Sequence, residues 1–507
     1  MTATSPSSRP SVLRRLVRFG FKSLLVIALL LGLRVMYAFR DRQPGGIADL
    51  DAAPDVTARP PKPVRVGFAR HKINPDMTNP KEPVWLAGFS QHRAATGIHD
   101  DLWAVATVID DGRNRLALVV LDAIGFFNDD VVEVRKRLPA SLGITYAIVC
   151  STHNHSTPDL MGLWGPHPLK SGVNPKYREH VIQRAALAIE EAAQALQPAE
   201  YSVHEVPLSP EGLVADTRKP KVFDADLRLL LFRSTTNQAI LGSIVGWGNH
   251  PETVWSGNTE ITADFPGYLR DGLEKGIPAG AGKQLAGLGG IHVFVNGAVG
   301  GLMTTHPSVT VKDPYEVLEY SKPSHEKTRA LGQTLAKHLL TRLQTTNAVW
   351  NTTAPLAIRS RVIHVPLDNV GFLIAPVLGI LDRGHDRRNH MRTEVGLVTF
   401  GEISMASIPG EIYPELVNGG VEKAPGADFG IDPLEVPPIR ELMPGKTKFI
   451  LGLANDEIGY IIPKSEWDRK PPYLYGAEKA PYGEVNSVGP EAAGMIHRTL
   501  KALCQKP

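Results

Sequence analysis

The sequence predicts an α/β protein of the mixed α+β kind, one large domain built around a mixed β-sheet. Three observations lead there. Short apolar runs of strand length recur through the body, amphipathic helices fall between them without a strict strand–helix alternation, and no internal repeat is present. The composition agrees: 507 residues, 43% apolar and 21% charged, are enough to bury a large core without disulfides or structural metals as staples. In chain order, Trp103–Asp110 and Arg115–Leu121 flank the turn Asp111-Gly112-Arg113-Asn114 and read as a hairpin. The further strand candidates are Tyr146–Ser151, Leu227–Phe232, Ile240–Gly246, Ile291–Asn296, Val395–Ile408 and Lys448–Leu453. Apolar residues at three-and-four spacing mark helices at Tyr177–Leu196, His325–Leu343 and Glu491–Leu503.

The N-terminus reads as an address. Arg9, Arg14, Arg15, Arg18 and Lys22 precede the apolar run Leu24–Leu33, which Arg34 and then Val35–Phe39 follow. Ten apolar residues suit a signal sequence and are short for a span of about 20. No A-x-A-like cleavage site follows, which favours an uncleaved signal-anchor over 1–39; either way the basic side stays in the cytoplasm and the body is exported, membrane-tethered or, after cleavage, secreted. Residues 40–63, rich in Pro, Gly, Ala and Asp, read as a tether, and 64–507 as the folded domain. The net charge is +3, and without the five leading cations the balance turns slightly acidic, so nucleic acid is disfavoured as a partner. Cys150 and Cys504 form no CxxC or Cys/His spacing, which excludes thiolate zinc sites and disulfide frameworks and leaves each as a small apolar residue.

Four places carry chemistry. An apolar strand runs into Ser151-Thr152-His153-Asn154-His155, and two histidines at i, i+2 on a strand end face one way, as a ligand pair or as a satisfied structural pair. The run Ile244–Thr253 (IVGWGNHPET) ends in a turn bearing His250, Ser404–Glu411 leaves through Pro409-Gly410 into Glu411, and Leu451–Trp467 brings Asn455, Asp456, Glu457 and Tyr460. Each alone has a plain turn or loop reading. Together, four strand ends each delivering a nitrogen or oxygen ligand suggest a mononuclear zinc site of two His, one carboxylate and one further oxygen. A further histidine that does not bind the metal can act as general base and acid.

At this point the motifs resemble a known family, the neutral/alkaline non-lysosomal ceramidases, zinc amidases that cleave the N-acyl bond of ceramide. The resemblance rests on GFSQHRAATGIHDDLWAVA from Gly88, STHNHSTPD, Arg218-Lys219-Pro220 before FDADLRLLLF, GNHPET, ADFPGY, FVNGAVGG, IPGE, and GYIIPKSEW with PYLYG after it. It covers most of Val64–Leu503 and implies a ceramidase-like catalytic domain with one Zn²⁺ per chain. By resemblance His153, His250, Glu411 and Tyr460 are the metal ligands and His155 the general acid/base. Arg218 is similar to an arginine that binds the substrate carbonyl or its oxyanion, and His99, Asp122 and Asp264 are supporting residues that orient the ligands.

Two departures stand out. Met303 occupies the place of a family serine in the Gly-rich loop, and the chain ends soon after the tyrosine motif, without the family's C-terminal β-sandwich. The expected activity is zinc-dependent hydrolysis of ceramide or a related N-acylated lipid beside a membrane. The competing readings are a zinc esterase or amidase acting on a non-sphingolipid acyl compound, and a non-catalytic envelope protein on a ceramidase-like scaffold.

Overall fold

The computed structural model describes residues 12–53, 62–280, 282–385 and 389–505. Arg9 and residues 54–61 of the expected tether lie outside them. The main strands are β1 (Leu50–Ala52), β2 (Arg65–Lys72), β3 (Trp103–Asp110), β4 (Arg115–Leu121), β5 (Tyr146–Ser151), β6 (Gln197–Val206), β7 (Leu227–Ser234), β8 (Ile240–Trp247), β9 (Ile291–Asn296), β10 (Leu356–Pro366), β11 (His390–Phe400), β12 (Ile403–Ser407) and β13 (Thr447–Leu451). The main helices are α1 (Val12–Ala38), α2 (Asn128–Lys136), α3 (Pro175–Gln194), α4 (Asp264–Lys275), α5 (His325–Thr345), α6 (Val370–Leu378) and α7 (Ala492–Gln505).

The expected single mixed sheet is two mixed sheets stacked face to face. The larger has eight strands in the order β9-β8-β7-β6-β2-β3-β4-β5, and the smaller five in the order β1-β10-β11-β12-β13. Three pairs are parallel, β4/β5, β8/β9 and β12/β13, while the other neighbours run antiparallel. The strand Arg115–Leu121 shows why the stack forms. Successive side chains point to opposite faces: Leu116, Leu118 and Val120 pack between the sheets against residues such as Leu356, Val398 and Phe449. Ala117, Val119 and Leu121 pack under Val181, Ala185 and Ile189 of α3. A strand buried on both faces reads as a continuous apolar run, and this one does.

Helices cover both outer faces. Asn174 caps α3 by accepting from the backbone N–H of Lys176 and Tyr177, with Pro175 in the first turn. Helices α4 and α5 cover the other half of the large sheet through Phe265, Leu269, Leu331 and Leu335. The C-terminal α7 lays Ile496, Leu500 and Leu503 on the small sheet.

Two further expectations change. Val395–Ile408 is a hairpin, because Gly401 turns the chain with φ of 59° between β11 and β12. Residues 40–53 of the expected tether pack on the body: β1 pairs with β10, and Arg392 holds Asp41 at 2.9 and 3.0 Å.

The edges of the two sheets are stitched together where the parallel strands end. Ser151 N–H donates to Leu453 O (3.2 Å), Gly452 N–H to Asn296 O (2.9 Å) and Ile408 N–H to Leu451 O (2.9 Å). The C-terminal ends of β5, β9, β12 and β13 thereby meet at one seam, and Glu411–Ile412 runs parallel to Tyr460–Ile461 beside it.

Candidate functional site

Polar side chains gather at that seam. His153 follows β5 with φ of 66°, and its Nδ1–H donates to Ile124 O at 2.7 Å. His250 follows β8, and both its backbone N–H (3.0 Å) and its Nδ1–H (2.7 Å) donate to Met303 O. A backbone carbonyl accepts from each Nδ1–H and orients each ring. Both Nε2 atoms face one carboxylate oxygen: Glu411 Oε2 lies 3.3 Å from His153 Nε2 and 3.0 Å from His250 Nε2. The two imidazoles hold the Glu411 carboxyl below the ordinary carboxylate range despite its burial.

His155 completes a three-histidine cluster, with ring centroids 5.0 Å from His153 and 5.5 Å from His250. Its ring is pressed edge-on against Phe89, and Glu252 Oε2 lies 3.0 Å from its Nδ1. Burial pushes the His155 imidazole down to about 4, against the pull of Glu252, so at neutral pH it is an uncharged base. Gly88, at φ of 104°, lets this happen: a Cβ there would stand 2.4 Å from the imidazole.

Asn296, at the end of β9, ties the two histidine turns together. Its side-chain amide donates to Thr152 O and to Asn249 O, both at 2.9 Å, and its carbonyl accepts from Asn249 N–H at 3.1 Å. This one residue thus bonds the residue before His153 and the residue before His250.

His153, His155 and Glu411 border a cavity whose remaining wall is largely apolar, formed by Ile124, Phe127, Met161, Leu163, Trp164, Phe372 and Leu381. Tyr460 lines it on the seam side, and burial beside Glu411 raises its hydroxyl well above the usual phenol range. Glu457 also faces it. Burial and the neighbouring Glu411 push its carboxyl well up, and its Oε2 has no hydrogen-bond partner. Few polar groups converging in an apolar cleft is the form of a small-molecule or lipid-chain site.

With that geometry in place, the comparisons show what the chain is similar to. Residues 66–288 match the family described as neutral/alkaline non-lysosomal ceramidase, N-terminal. The fold likeness runs further. The neutral ceramidase from Pseudomonas aeruginosa aligns with 88% of this chain and 75% of its own at 16% identity, with a TM-score of 0.63. A ceramidase complexed with C2 aligns over 87% of this chain and 75% of its own at 17% identity, with a TM-score of 0.61. No curated protein matches the chain.

Of the residues the ceramidase resemblance singled out, His153, His155, His250, Glu411 and Tyr460 come together in one cavity wall or cluster. Arg218 does not join them. Its guanidinium is bound to both carboxylate oxygens of Glu484 (2.8 and 3.1 Å), to the Tyr413 hydroxyl (2.8 Å) and to Glu466 O (2.8 Å), outside the cavity wall. Nη1 and Nη2 are both engaged there, and Nε alone is without a partner. Asp122 likewise spends its carboxylate on Arg270 of α4 (3.0 and 2.7 Å) and on Trp103 N–H (2.9 Å). His99 is exposed, stacked on His325 at 3.6 Å. Asp264 opens α4 and accepts from Val254 N–H at 3.5 Å, which supports the turn that leaves His250; burial pushes its carboxyl up to about 7.

Three participants were not assigned roles from the sequence. Glu252 stood in the GNHPET motif two residues after His250, Glu457 in the run before Tyr460, and Asn296 at the head of FVNGAVGG. The available signal was their place inside motifs already flagged at strand ends. Met303 also resolves: its side chain is buried in the core beneath α4 and α5, and only its carbonyl serves the site, which any residue supplies.

Proposed function

We propose that the chain is a zinc-dependent amidase that hydrolyses the N-acyl bond of ceramide or a related N-acylated lipid, anchored by its N-terminal helix with the catalytic domain on the exported side. The observation that carries this reading is the convergence of two imidazole Nε2 atoms on one Glu411 oxygen that lines a largely apolar cavity. The donor set fits zinc: two imidazoles held by carbonyls on Nδ1, one carboxylate, and the Tyr460 phenol as the further oxygen. Zinc bound there supplies Lewis acidity toward a carbonyl oxygen and toward water.

The chain's own residues supply the rest. The apolar wall takes the acyl chain and excludes water from the reacting amide. His155, neutral and free at Nε2, accepts the proton of the attacking water and returns it to the departing amine nitrogen. Glu252 on Nδ1 holds the ring in the productive tautomer and stabilises it while charged. The Tyr460 hydroxyl, kept protonated, is placed to donate to the carbonyl oxygen wherever it does not bind the metal.

The anchor reading draws on the 23-residue helix Leu16–Ala38, with an 18-residue stretch of mean hydropathy 2.0 and the cations Arg14, Arg18 and Lys22 at its leading end. At 1.5 Å per residue it spans roughly 34 Å, enough to cross a bilayer.

The zinc site is tested by metal analysis of the purified full chain. One zinc per chain is expected, falling below a tenth in His153→Ala and in His250→Ala. Stoichiometric zinc retained by either variant overturns the site.

A further inference from the structure

Helix α6, Val370-Gly-Phe-Leu-Ile-Ala-Pro-Val-Leu378, contains no polar side chain. Its inner face closes the cavity: Phe372 lines the wall and Ala375 packs into a cluster with Ile124, Phe127 and Met161. Its outer face is equally apolar and uncovered. Val370, Ile374 and Leu378, at i, i+4 and i+8, are 60%, 49% and 51% exposed. An apolar helix with both faces apolar belongs in apolar surroundings on both sides. The same surface continues past the α6 cap, where Asn369 donates to Val485 O at 2.9 Å, Val485 is exposed, and the exposed Tyr482 lines the cavity.

What lies next to this face says what covers it. The N-terminal helix α1 reaches α6 near its exported end. Arg34 Nε donates to Val377 O and Arg34 Nη2 to Pro376 O, both at 2.7 Å, Pro376 O also accepting from Gly379 N–H at 3.1 Å in the C-cap. One turn further along α1 stands Tyr37, 56% exposed, with the Arg40 guanidinium 3.8 Å over its ring. An aromatic ring with flanking arginines at the end of a spanning helix marks the membrane–water boundary. The C-terminal turn of α6 therefore meets α1 about one turn, roughly 5 Å, to the membrane side of that boundary. An amphipathic or apolar surface helix sinks about that far into the headgroup–acyl border.

We propose that α6 is a membrane-docking helix. Its face of Val370, Ile374 and Leu378 sits in the outer leaflet of the bilayer that α1 crosses, and this seats the cavity mouth on the lipid surface, so that an N-acylated lipid enters from the leaflet without passing through water. The inference rests on the reading of α1 as an anchor and is independent of the zinc chemistry.

The test uses the full chain with Cys504→Ser, since Cys150 is buried. Single cysteines are introduced as Ile374→Cys, Leu378→Cys, Ile27→Cys in the anchor, and Val317→Cys on a remote exposed loop. Each is labelled with an environment-sensitive nitrobenzoxadiazole probe and reconstituted into vesicles of phosphatidylcholine and phosphatidylglycerol. Probes at 374 and 378 are expected to emit to the blue of the 317 probe. They should be quenched by phospholipid carrying a nitroxide high on the acyl chain and shielded from aqueous iodide, while 317 responds to iodide alone. If 374 and 378 respond like 317 while 27 is quenched by lipid, the anchor stands and the docking is wrong. If 27 escapes lipid quenching, the anchor fails and the docking with it. No hydrolysis is read, so an inactive protein leaves either result intact.

Discussion

His155 illustrates how much a single side chain depends on neighbours that are not themselves chemical. Its imidazole is uncharged because it is buried, faces Glu252 with Oε2 3.0 Å from Nδ1, and is accommodated because residue 88 has no Cβ. Glu252→Gln keeps the shape but loses the charge opposite the imidazole; turnover is expected to fall about 10- to 100-fold with zinc content unchanged, as for other partners that orient a site residue. Loss of the metal along with activity would show that Glu252 holds the site together and not the base. Met303 makes the complementary point. The sequence flags it as a departure, yet its side chain packs in the core and its carbonyl does the work. Met303→Leu, a volume-conserving change costing less than about 1.5 kcal/mol, should leave zinc content and turnover near wild type, measured side by side. Residue types at strand ends were legible from the motifs. Arg218 was not, because a guanidinium in a motif looks the same whether it faces substrate or, as here, a buried Glu484.

Among the elements, the legible ones were those whose burial repeats along the chain. The runs Arg115–Leu121 and Tyr146–Ser151 are buried on both faces and show as unbroken apolar stretches, and α3 shows as a stripe with a cap. Strand β10 was missed because Arg359, Arg361 and His364 interrupt its pattern. The fold covers that polar edge with distant groups, Arg361 on Asp51 (2.7 and 2.9 Å) and Arg359 on Leu503 O (3.0 Å). A local pattern cannot announce a partner 310 residues away. The same long-range tie governs the site, where Asn296 joins the turns after β5 and β8. Asn296→Ala would leave the Thr152 and Asn249 carbonyls without this donor, costing about 1–3 kcal/mol for each buried group. Zinc affinity should drop about 10- to 100-fold, read by competition with a chelator, since the two ligand histidines lose their common brace. Unchanged affinity would mean that the backbone seam alone sets the spacing.

For the whole molecule, the second sheet is the feature that composition and periodicity could not supply. Stacking it on the first brings the ends of β5, β9, β12 and β13 to one seam, and that seam turns four separated motifs into one cavity. The apolar cavity wall includes Phe372 of α6, and α6 is in turn bound by Arg34 of the apolar N-terminal helix, so the proposed anchor and the cavity share one neighbour. The central claim is that this cavity cleaves an N-acyl bond with His155 as the proton carrier. The most direct measurement is the release of fatty acid from ceramide by the purified full chain, with zinc counted in the same samples of wild type and His155→Ala. The account predicts turnover by wild type and a loss of about 10²- to 10⁴-fold in the variant with zinc retained. A fully zinc-loaded wild type that leaves ceramide intact, or a variant that cleaves it as fast as wild type, would contradict it.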